Sequence, residues 1–534
     1  MMLVTVEEMR EIEQLAIEQS VSSDQMMQRA GKGLAEIIIK HFKDLITKHV
    51  IGLVGKGNNG GDAIIALNQL LLSGWYGAAI LFSPRQADPL VEEFINNGGR
   101  IINYKEADFK LKLKEIMSDD SVIVDGLLGT GIKMPLKAEM AEFMSLIKKA
   151  AKGKRVVAVD CPSGVDCDSG EAAAETIPAE LTVCMQAVKV GLMKQPAFSL
   201  CGEIETVSLG LPKEITKKYE GQSVVDDHWA AAHLPVRSAF SHKGSFGKVM
   251  VVGGSVNYVG APFLSGLAAY RLGSGLVTLA VPQQVASTMA GNAPEITWVI
   301  LDDEDGVIAE TAAEVFLKKV IDYDCLAVGP GIGTEEATQR FLHRVLFQPS
   351  INDRRKVGFL AGETSTNAAV KIPTVVIDAD ALRWLAKQQN WFESISSPMV
   401  LTPHPGEMAA LTGLKTEEIQ KDRIACASSF AQKWHQVVVL KGALTVIAAP
   451  DGRINIIPIA TSALAKAGSG DVLTGMITSL IGQGVQPFEA ATLGAWMHAK
   501  AGLRAAEKMG CEASVLARDI IAALPEMVAS VKTL

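Results

Sequence analysis

No Cys-x-x-Cys pair occurs in this chain, and none of its seven cysteines has a histidine partner at zinc-finger spacing, so the common zinc modules are excluded. The thiols are expected to be reduced, as in a cytoplasmic protein. Basic charge is in deficit as well: 51 Lys and Arg against 59 Asp and Glu leave a net charge of -8. That argues against general nucleic-acid binding, although nests of backbone N–H groups can still hold a phosphorylated ligand on an acidic protein. Aromatic residues make up only 5%, yet 48% hydrophobic and 21% charged residues describe a globular chain and not a disordered one. A secretory signal is not expected, because MMLVTVEEMREIEQ is acidic where such a signal is basic and then apolar. The uncharged run at 63–84 is punctuated by Asn68, Gln69 and Ser73, and Gly74 and Gly77 divide it into a helix and a short strand. No membrane role is expected of it.

What is present alternates. Strand-like runs at 50–55, 77–82, 121–126, 155–160 and 180–185 are separated by helix-length segments, which implies β-α-β units with a parallel, doubly wound sheet. Before them, 6–41 is helical in period, broken by the polar VSSDQ. A polar, turn-rich stretch near 211–240 marks a boundary between two different α/β domains. The second half opens with KVMVVGG, continues through LVTLAVP, DCLAVGPG, TVVIDAD, PMVLTPH and QVVVLKG, and turns a hairpin at Asp451-Gly452. Helices are expected over 471–481 and 487–509.

Three loops of the first half carry polar groups. Lys56-Gly57-Asn58-Asn59-Gly60-Gly61-Asp62 follows a strand and leads into a helix, where glycines admit a ligand and the helix N-terminus offers N–H groups to phosphate. Alone, this is equally a tight turn capped by Asn and Asp. Asp125 opens the loop Gly126 to Pro135, and Asp160 opens Cys161-Pro162-Ser163-Gly164-Val165-Asp166. Each Asp alone reads as a cap. The carboxyl ends of a doubly wound sheet share one edge, however, so the three loops converge on one crevice.

In the second half, Ala467-Gly468-Ser469-Gly470-Asp471 sets a glycine turn before a helix with a carboxylate at its start. Such a turn can neutralise phosphate while the Asp takes a proton from a substrate hydroxyl. The competing reading is an Asp N-cap. Lys441-Gly442-Ala443-Leu444-Thr445, Thr402-Pro403-His404-Pro405-Gly406-Glu407 and Gly329-Pro330-Gly331-Ile332-Gly333 each follow a strand. A lone loop histidine such as His404 is more often structural, and its company shifts it toward substrate binding.

NNGGD, DGLLGTG and VDCPSGVD together resemble the NAD(P)H-hydrate epimerase domain, over about residues 1–215. The resemblance implies a Rossmann-like domain in which Asn58, Asn59, Gly60, Gly61 and Asp62, with Gly129, Thr130, Gly131, Ile132, Lys133, Met134 and Pro135, hold the dinucleotide hydrate. It further implies that Asp160 contacts the reacting ring and that Asn59, Asp125 and Ser163 hold a potassium ion. Such hard oxygen donors suit an alkali or alkaline-earth cation and not zinc, without selecting potassium. Asp160 is the candidate acid/base for interconverting the epimers.

HKGSFGKVMVVGGS, GPGIG, TPHPGE, KGALT and AGSGD resemble the ADP- or ATP-dependent NAD(P)H-hydrate dehydratase, a ribokinase-like domain, over about residues 226–534. The resemblance implies hydrate contacts at Ala261, Gly331, His404 and Asp471. It places the nucleotide against Lys441, Gly442, Ala443, Leu444 and Thr445, and against Thr461, Ser462, Ala463, Leu464, Ala465, Lys466, Ala467, Gly468, Ser469 and Gly470. It also implies Mg2+ with the nucleotide, ADP as the preferred donor and Asp471 as the base. The hydrate hydroxyl is phosphorylated, and phosphate leaves as the ring double bond returns. NADHX and NADPHX are then the ligands, with no nucleic acid or membrane partner, and a homo-oligomer is expected. Residues 348–373 make a longer connection than the family's and read as a surface excursion. The alternatives are a small-molecule hydroxyl kinase fused to a dinucleotide-binding module, a non-catalytic nucleotide sensor, and an ordinary NAD-dependent dehydrogenase.

Overall fold

In the computed structural model, which describes residues 1–85, 87–117, 121–355 and 364–532, the chain divides into two units, Met1–Val224 and Val225–Leu534. The central strands of the first unit are short Val-, Ile-, Leu- and Ala-rich runs buried on both faces, as parallel strands covered by helices must be. Seven strands form one sheet in the order Arg100–Asn103, Tyr76–Leu81, His49–Val54, Ser121–Gly126, Arg155–Val159, Leu181–Met185 and Glu203–Val207, every neighbouring pair parallel. The two edge strands lie outside the runs read from sequence, because RIIN and EIETV are short and partly exposed. Strand order reverses between His49–Val54 and Ser121–Gly126, so the loops that leave these two strands border a switch-point crevice.

Two helices precede this sheet, Val6–Glu18 and Ser23–His41. The polar break between them is a cap: Ser22 and Gln25 form a capping box, as Thr5 and Glu8 do for the first helix. The uncharged run resolves into helix Asn58–Leu72, a turn at Gly74 with φ 83° and strand Tyr76–Leu81. No helix among the described residues is long and apolar enough to cross a membrane.

In the second unit, Thr297–Leu301, Leu276–Pro282, Lys248–Val252, Cys325–Val328, Thr374–Ile377, Met399–Leu401 and Val437–Leu440 are successive parallel neighbours. Val446–Ala448 and Ile454–Ile456 extend the sheet antiparallel, as the expected hairpin. Helices Gly260–Leu272, Ser469–Gly482, Pro487–Met509 and Ala517–Lys532 bury a common apolar core. The last of them carries Pro525 in its interior, a residue that breaks the helical reading of the sequence. At Gly475 a Cβ would lie 2.0 Å from the Ser265 carbonyl oxygen, so the helices Gly260–Leu272 and Ser469–Gly482 meet backbone to backbone. That contact fixes where the N-terminus at Ser469 points. Within 348–373, Ser350–Arg355 pairs antiparallel with Thr364–Ala369 as a sheet of its own, and 356–363 lie outside the described residues.

Candidate active sites

Helix Asn58–Leu72 starts at Asn58 with Gly57 as N-cap, so Asn58 to Gly61 form its first turn, Asp62 follows directly after, and none of them is in a turn before the helix. No side chain caps this helix, which leaves its positive dipole end to a ligand. Gly60 is sterically required, since a Cβ would lie 2.1 Å from the Gly55 carbonyl oxygen. Gly61 faces the other way, toward the Met27 sulfur, and serves helix packing. Gly55, Gly57 and Gly60 also have the G-x-G-x-x-G spacing of dinucleotide-binding loops, so spacing alone does not separate this turn from a dehydrogenase's.

Asn58, Asn59, Gly60, Asp62, Gly129, Thr130, Gly131, Ile132, Lys133 and Asp160 line one cavity of about 840 Å³, large enough for a cofactor-sized ligand. Gly61, Met134 and Pro135 lie outside its lining. Behind it, Asn59, Asp125 and Ser163 gather around the Leu128 peptide. Ser163 Oγ donates to Asp125 Oδ1 at 2.6 Å, Ser163 N–H donates to Oδ2 at 2.9 Å, and Leu128 N–H donates to Ser163 Oγ at 2.8 Å. Asn59 Nδ2 donates to the Leu128 and Val159 carbonyls at 3.2 and 2.7 Å. Burial raises the Asp125 carboxyl above its usual range, against the hydrogen bonds from Ser163 and Leu127.

Asp160 leaves its strand with φ 64°, a conformation costly to a non-glycine residue and frequent at functional sites. Its Oδ1 accepts the Met185 N–H at 2.9 Å and a hydrogen bond from Lys189 Nζ. Lys189 is 1% exposed; burial pulls its pKa down most strongly, but the charge of Asp160 and its hydrogen bond, together with the neighbouring Cys184 and Cys167, hold it above the ordinary value. Burial also raises Glu13 and, with the charges of Asp160 and Glu13, pushes the Asp62 carboxyl up to about 8. Glu13 and Lys189 line the same cavity and went unmarked in the sequence, where each sits in an unremarkable helical or strand-end context.

In the second unit Asp471 is the third residue of helix Ser469–Gly482, and Gly468, φ 90°, is the N-cap with no side-chain cap bond. The Asp N-cap reading therefore falls away. Burial, then the charge of Asp378, pushes the Asp471 carboxyl up to about 7, with Lys441 opposing. Asp378 accepts from Lys441 Nζ and from Thr474 Oγ1, both at 2.7 Å. Burial would raise Asp378, but the Lys441 charge and these bonds hold it below the usual carboxylate range.

His404 has the structural role expected of a loop histidine and also faces a cleft. Its Nδ1 accepts the Gly406 and Glu407 N–H groups at 3.0 and 3.2 Å, capping helix Pro405–Thr412. The cleft, about 410 Å³, is lined by His404, Lys441, Gly442, Ala443, Thr445, Thr461, Leu464, Ala465, Ser469 and Gly470. Leu444, Ser462, Ala463, Lys466, Ala467 and Gly468 are not in its lining; Ala463 is buried in the core, and Ser462 N–H and Oγ bond to Glu512. Ala261, Gly331 and Asp471 are outside it as well. A Cβ on Gly331, φ 62°, would lie 3.0 Å from Ala261 Cβ, so these two meet, and Gly333 N–H donates to Asp380, whose charge acts on Asp471. His498 also lines the cleft, unmarked in the sequence: burial pushes it down to about 4, and its Nε2 has no hydrogen-bond partner.

Comparison with known proteins fits two sites on two units. Residues 249–526 match the family model for NAD(P)H-hydrate dehydratase, and residues 23–191 match that for the YjeF-related protein N-terminus. The bifunctional NAD(P)H-hydrate repair enzyme Nnr of Moorella thermoacetica is 35% identical, across 98% of this chain and 96% of the relative. The chain belongs to the bifunctional NAD(P)H-hydrate repair enzyme family. Its Escherichia coli relative is 30% identical across 94% of this chain and 89% of its own. The crystal structure of the Bacillus subtilis ADP/ATP-dependent NAD(P)H-hydrate dehydratase, co-crystallised with ATP/Mg2+, is 30% identical and covers 58% of this chain and 98% of its own, with a TM-score of 0.46. Membership in the repair-enzyme family makes the chain an enzyme and disfavours the kinase fusion.

Proposed function

We propose that the first unit interconverts the R and S hydrates of NADH and NADPH in the cytoplasm, and that the second unit dehydrates the S hydrate with ADP, or with ATP as a second choice. The observation that carries the second activity is Asp471 in an uncapped first turn, beside the buried Asp378–Lys441 pair and the nucleotide-sized cleft. There the hydrate hydroxyl attacks the terminal phosphorus while Asp471 accepts its proton, and Lys441 with the turn's N–H groups steadies phosphate charge. Phosphate is a better leaving group than hydroxide, so the ring double bond returns as phosphate departs. Mg2+ would enter with the nucleotide phosphates, which it neutralises.

In the first unit Asp160 faces the reacting ring, and Lys189 fixes its carboxylate. Near the Leu128 peptide, which Asn59 meets through its Nδ2, the Asp125 carboxylate, the Ser163 hydroxyl and the remaining amide oxygen of Asn59 are hard donors of the kind that would hold potassium. Potassium held by these residues would supply fixed positive charge beside the loops after Val54, Gly126 and Val159. Incubating the chain with mixed hydrate epimers and ADP or ATP tests the whole reading. Dihydronicotinamide absorbance should recover for both epimers with release of free phosphate; phosphate retained on a product would favour a kinase instead.

A further inference from the structure

We propose that Asp62 is the second proton-transfer group of the epimerase cavity, acting across the substrate ring from Asp160. This rests on reading the first unit as an epimerase. Hydration of an enamine puts the hydroxyl on the ring carbon bonded to nitrogen, because the cation formed in that addition is the iminium. To invert that carbon, the C–O bond breaks with its electron pair going to oxygen, while the nitrogen lone pair forms C=N. The departing oxygen takes a proton from an acid and leaves as water. Water then adds to the opposite face, the C=N pair returns to nitrogen, and the added oxygen gives a proton to a base. One acid and one base on opposite faces are required, with roles exchanged in the reverse direction. Paired carboxyl groups meet the same requirement in inverting glycoside hydrolysis.

A single carboxylate cannot serve both faces, and of the four carboxyl groups that line the cavity, Glu13, Asp62, Glu139 and Asp160, only Asp62 and Asp160 are buried. Asp160 stands at the end of strand Arg155–Val159 and Asp62 on helix Asn58–Leu72; each is 6% exposed and lines the cavity. Asp160 carries the negative charge of its pair with Lys189. The Asp62 carboxyl has neither a hydrogen bond nor an ion pair among the described residues. A buried carboxyl without a partner is costly and calls for a ligand. The charged groups facing it are Asp160, Glu13 from helix Val6–Glu18 and Lys189, with Arg10 beside Glu13. Burial, followed by the two neighbouring carboxylates, keeps Asp62 protonated to about pH 8, as an acid must be. Two carboxyl groups set apart in this way divide acid and base roles.

The test uses the intact chain without adenine nucleotide, so the dehydratase is silent, and follows interconversion of a single hydrate epimer by chromatography, less the buffer rate, from about pH 6 to 9.5. The wild type should lose rate as pH rises through about 8. Asp62→Asn should be slower by about 10²–10⁴-fold and lack that alkaline limb, while Asp62→Glu, which keeps an acid, recovers much of the rate. An Asn variant with normal rate, a slowed one that keeps the alkaline limb, or a Glu variant as slow as the Asn variant would each overturn the assignment. A wild type that does not exceed the buffer rate would overturn the epimerase reading itself.

Discussion

Replacing Asp471 by Asn separates chemistry from architecture in the second unit. The side chain caps nothing, so Asp471→Asn removes basicity while leaving Gly468 to start the helix and Lys441 to hold Asp378. A positioned general base contributes about 10²–10⁴-fold, so dehydration should slow by that factor, about 3–5 kcal/mol of barrier. Because the wild-type carboxyl titrates at about 7, the base is ionised above that pH and protonated below it. Wild-type turnover should therefore drop about tenfold for each unit of pH below the midpoint, and the residual rate of the variant should not. Stability moves the other way. The folded state holds a proton that the unfolded state has released between the ordinary 3.8 and about 7, so the wild type loses stability as pH rises through that window. The Asn variant avoids this loss and should melt higher than wild type at pH 8, with the gap closing toward pH 4. Dehydration is read as recovery of dihydronicotinamide absorbance with ADP, nucleotide affinity by calorimetry, and stability by thermal unfolding at both pH values. A variant that binds ADP and still dehydrates at wild-type speed would falsify the role of Asp471 as base.

Asp125→Ala should weaken epimerisation and its dependence on potassium while leaving dehydration of the S hydrate unchanged; equal loss of both in a folded chain would count against two separate sites. The same change also strands the hydrogen bonds of Ser163, at a cost of about 1–3 kcal/mol to the first unit, visible in its melting. Lys441→Met leaves Asp378 buried without its cation, so the second unit should lose about 3–5 kcal/mol and bind ADP less tightly. Adding Asp378→Asn should return much of the stability and none of the ADP affinity; recovery of both would mean Lys441 acts only through folding. Residues 1–224 expressed alone should interconvert epimers without nucleotide, and residues 225–534 should consume only the S hydrate and only with ADP or ATP, judged by chromatography of each epimer.

The strand-loop-helix order was open to sequence reading because buried parallel strands are continuous apolar runs and the loops after them are rich in Gly, Asn and Asp. Elements escaped where that contrast fades: the polar edge strands Arg100–Asn103 and Glu203–Val207, and helix Ala517–Lys532 with its internal Pro525. Motif reading found Asp62, Asp160 and Asp471 because each follows glycine or ends a strand, but it misjudged their local setting. Asp471 is inside the first turn of its helix and Asp62 just past the first turn of its own, whereas a cap needs the residue before the helix. Lys189, Glu13, Asp378 and His498 were invisible as site residues, since only the fold brings them beside residues far away in sequence. Asp378 is the instructive case. It lies within the TVVIDAD run, where it reads as the end of a strand, and only its 2.7 Å bond to Lys441, 63 positions on, shows that it sets the charge balance of the site.

The two units, different in topology, use one electrostatic device. Each buries an aspartate with a lysine, Asp160 with Lys189 and Asp378 with Lys441, and sets a second carboxyl near the pair within the first five residues of a helix. Opening a crevice at a helix N-terminus favours anions there, yet neither Asp62 nor Asp471 is stabilised as an anion: burial and the paired aspartate push both toward neutrality. The lysine opposes this shift in each unit but is outweighed by burial and the neighbouring carboxylates. What differs is the resulting titration point, about 8 for Asp62 and about 7 for Asp471. Near neutral pH the first is mostly protonated and suited to giving a proton to a leaving hydroxyl. The second is ionised in about half the molecules and suited to taking one from an attacking hydroxyl. Loss of the hydroxyl as water needs a proton given and phosphorylation of the hydroxyl needs one taken, and in both units burial beside an ion pair brings the titration of the carboxyl that would move it toward neutral pH.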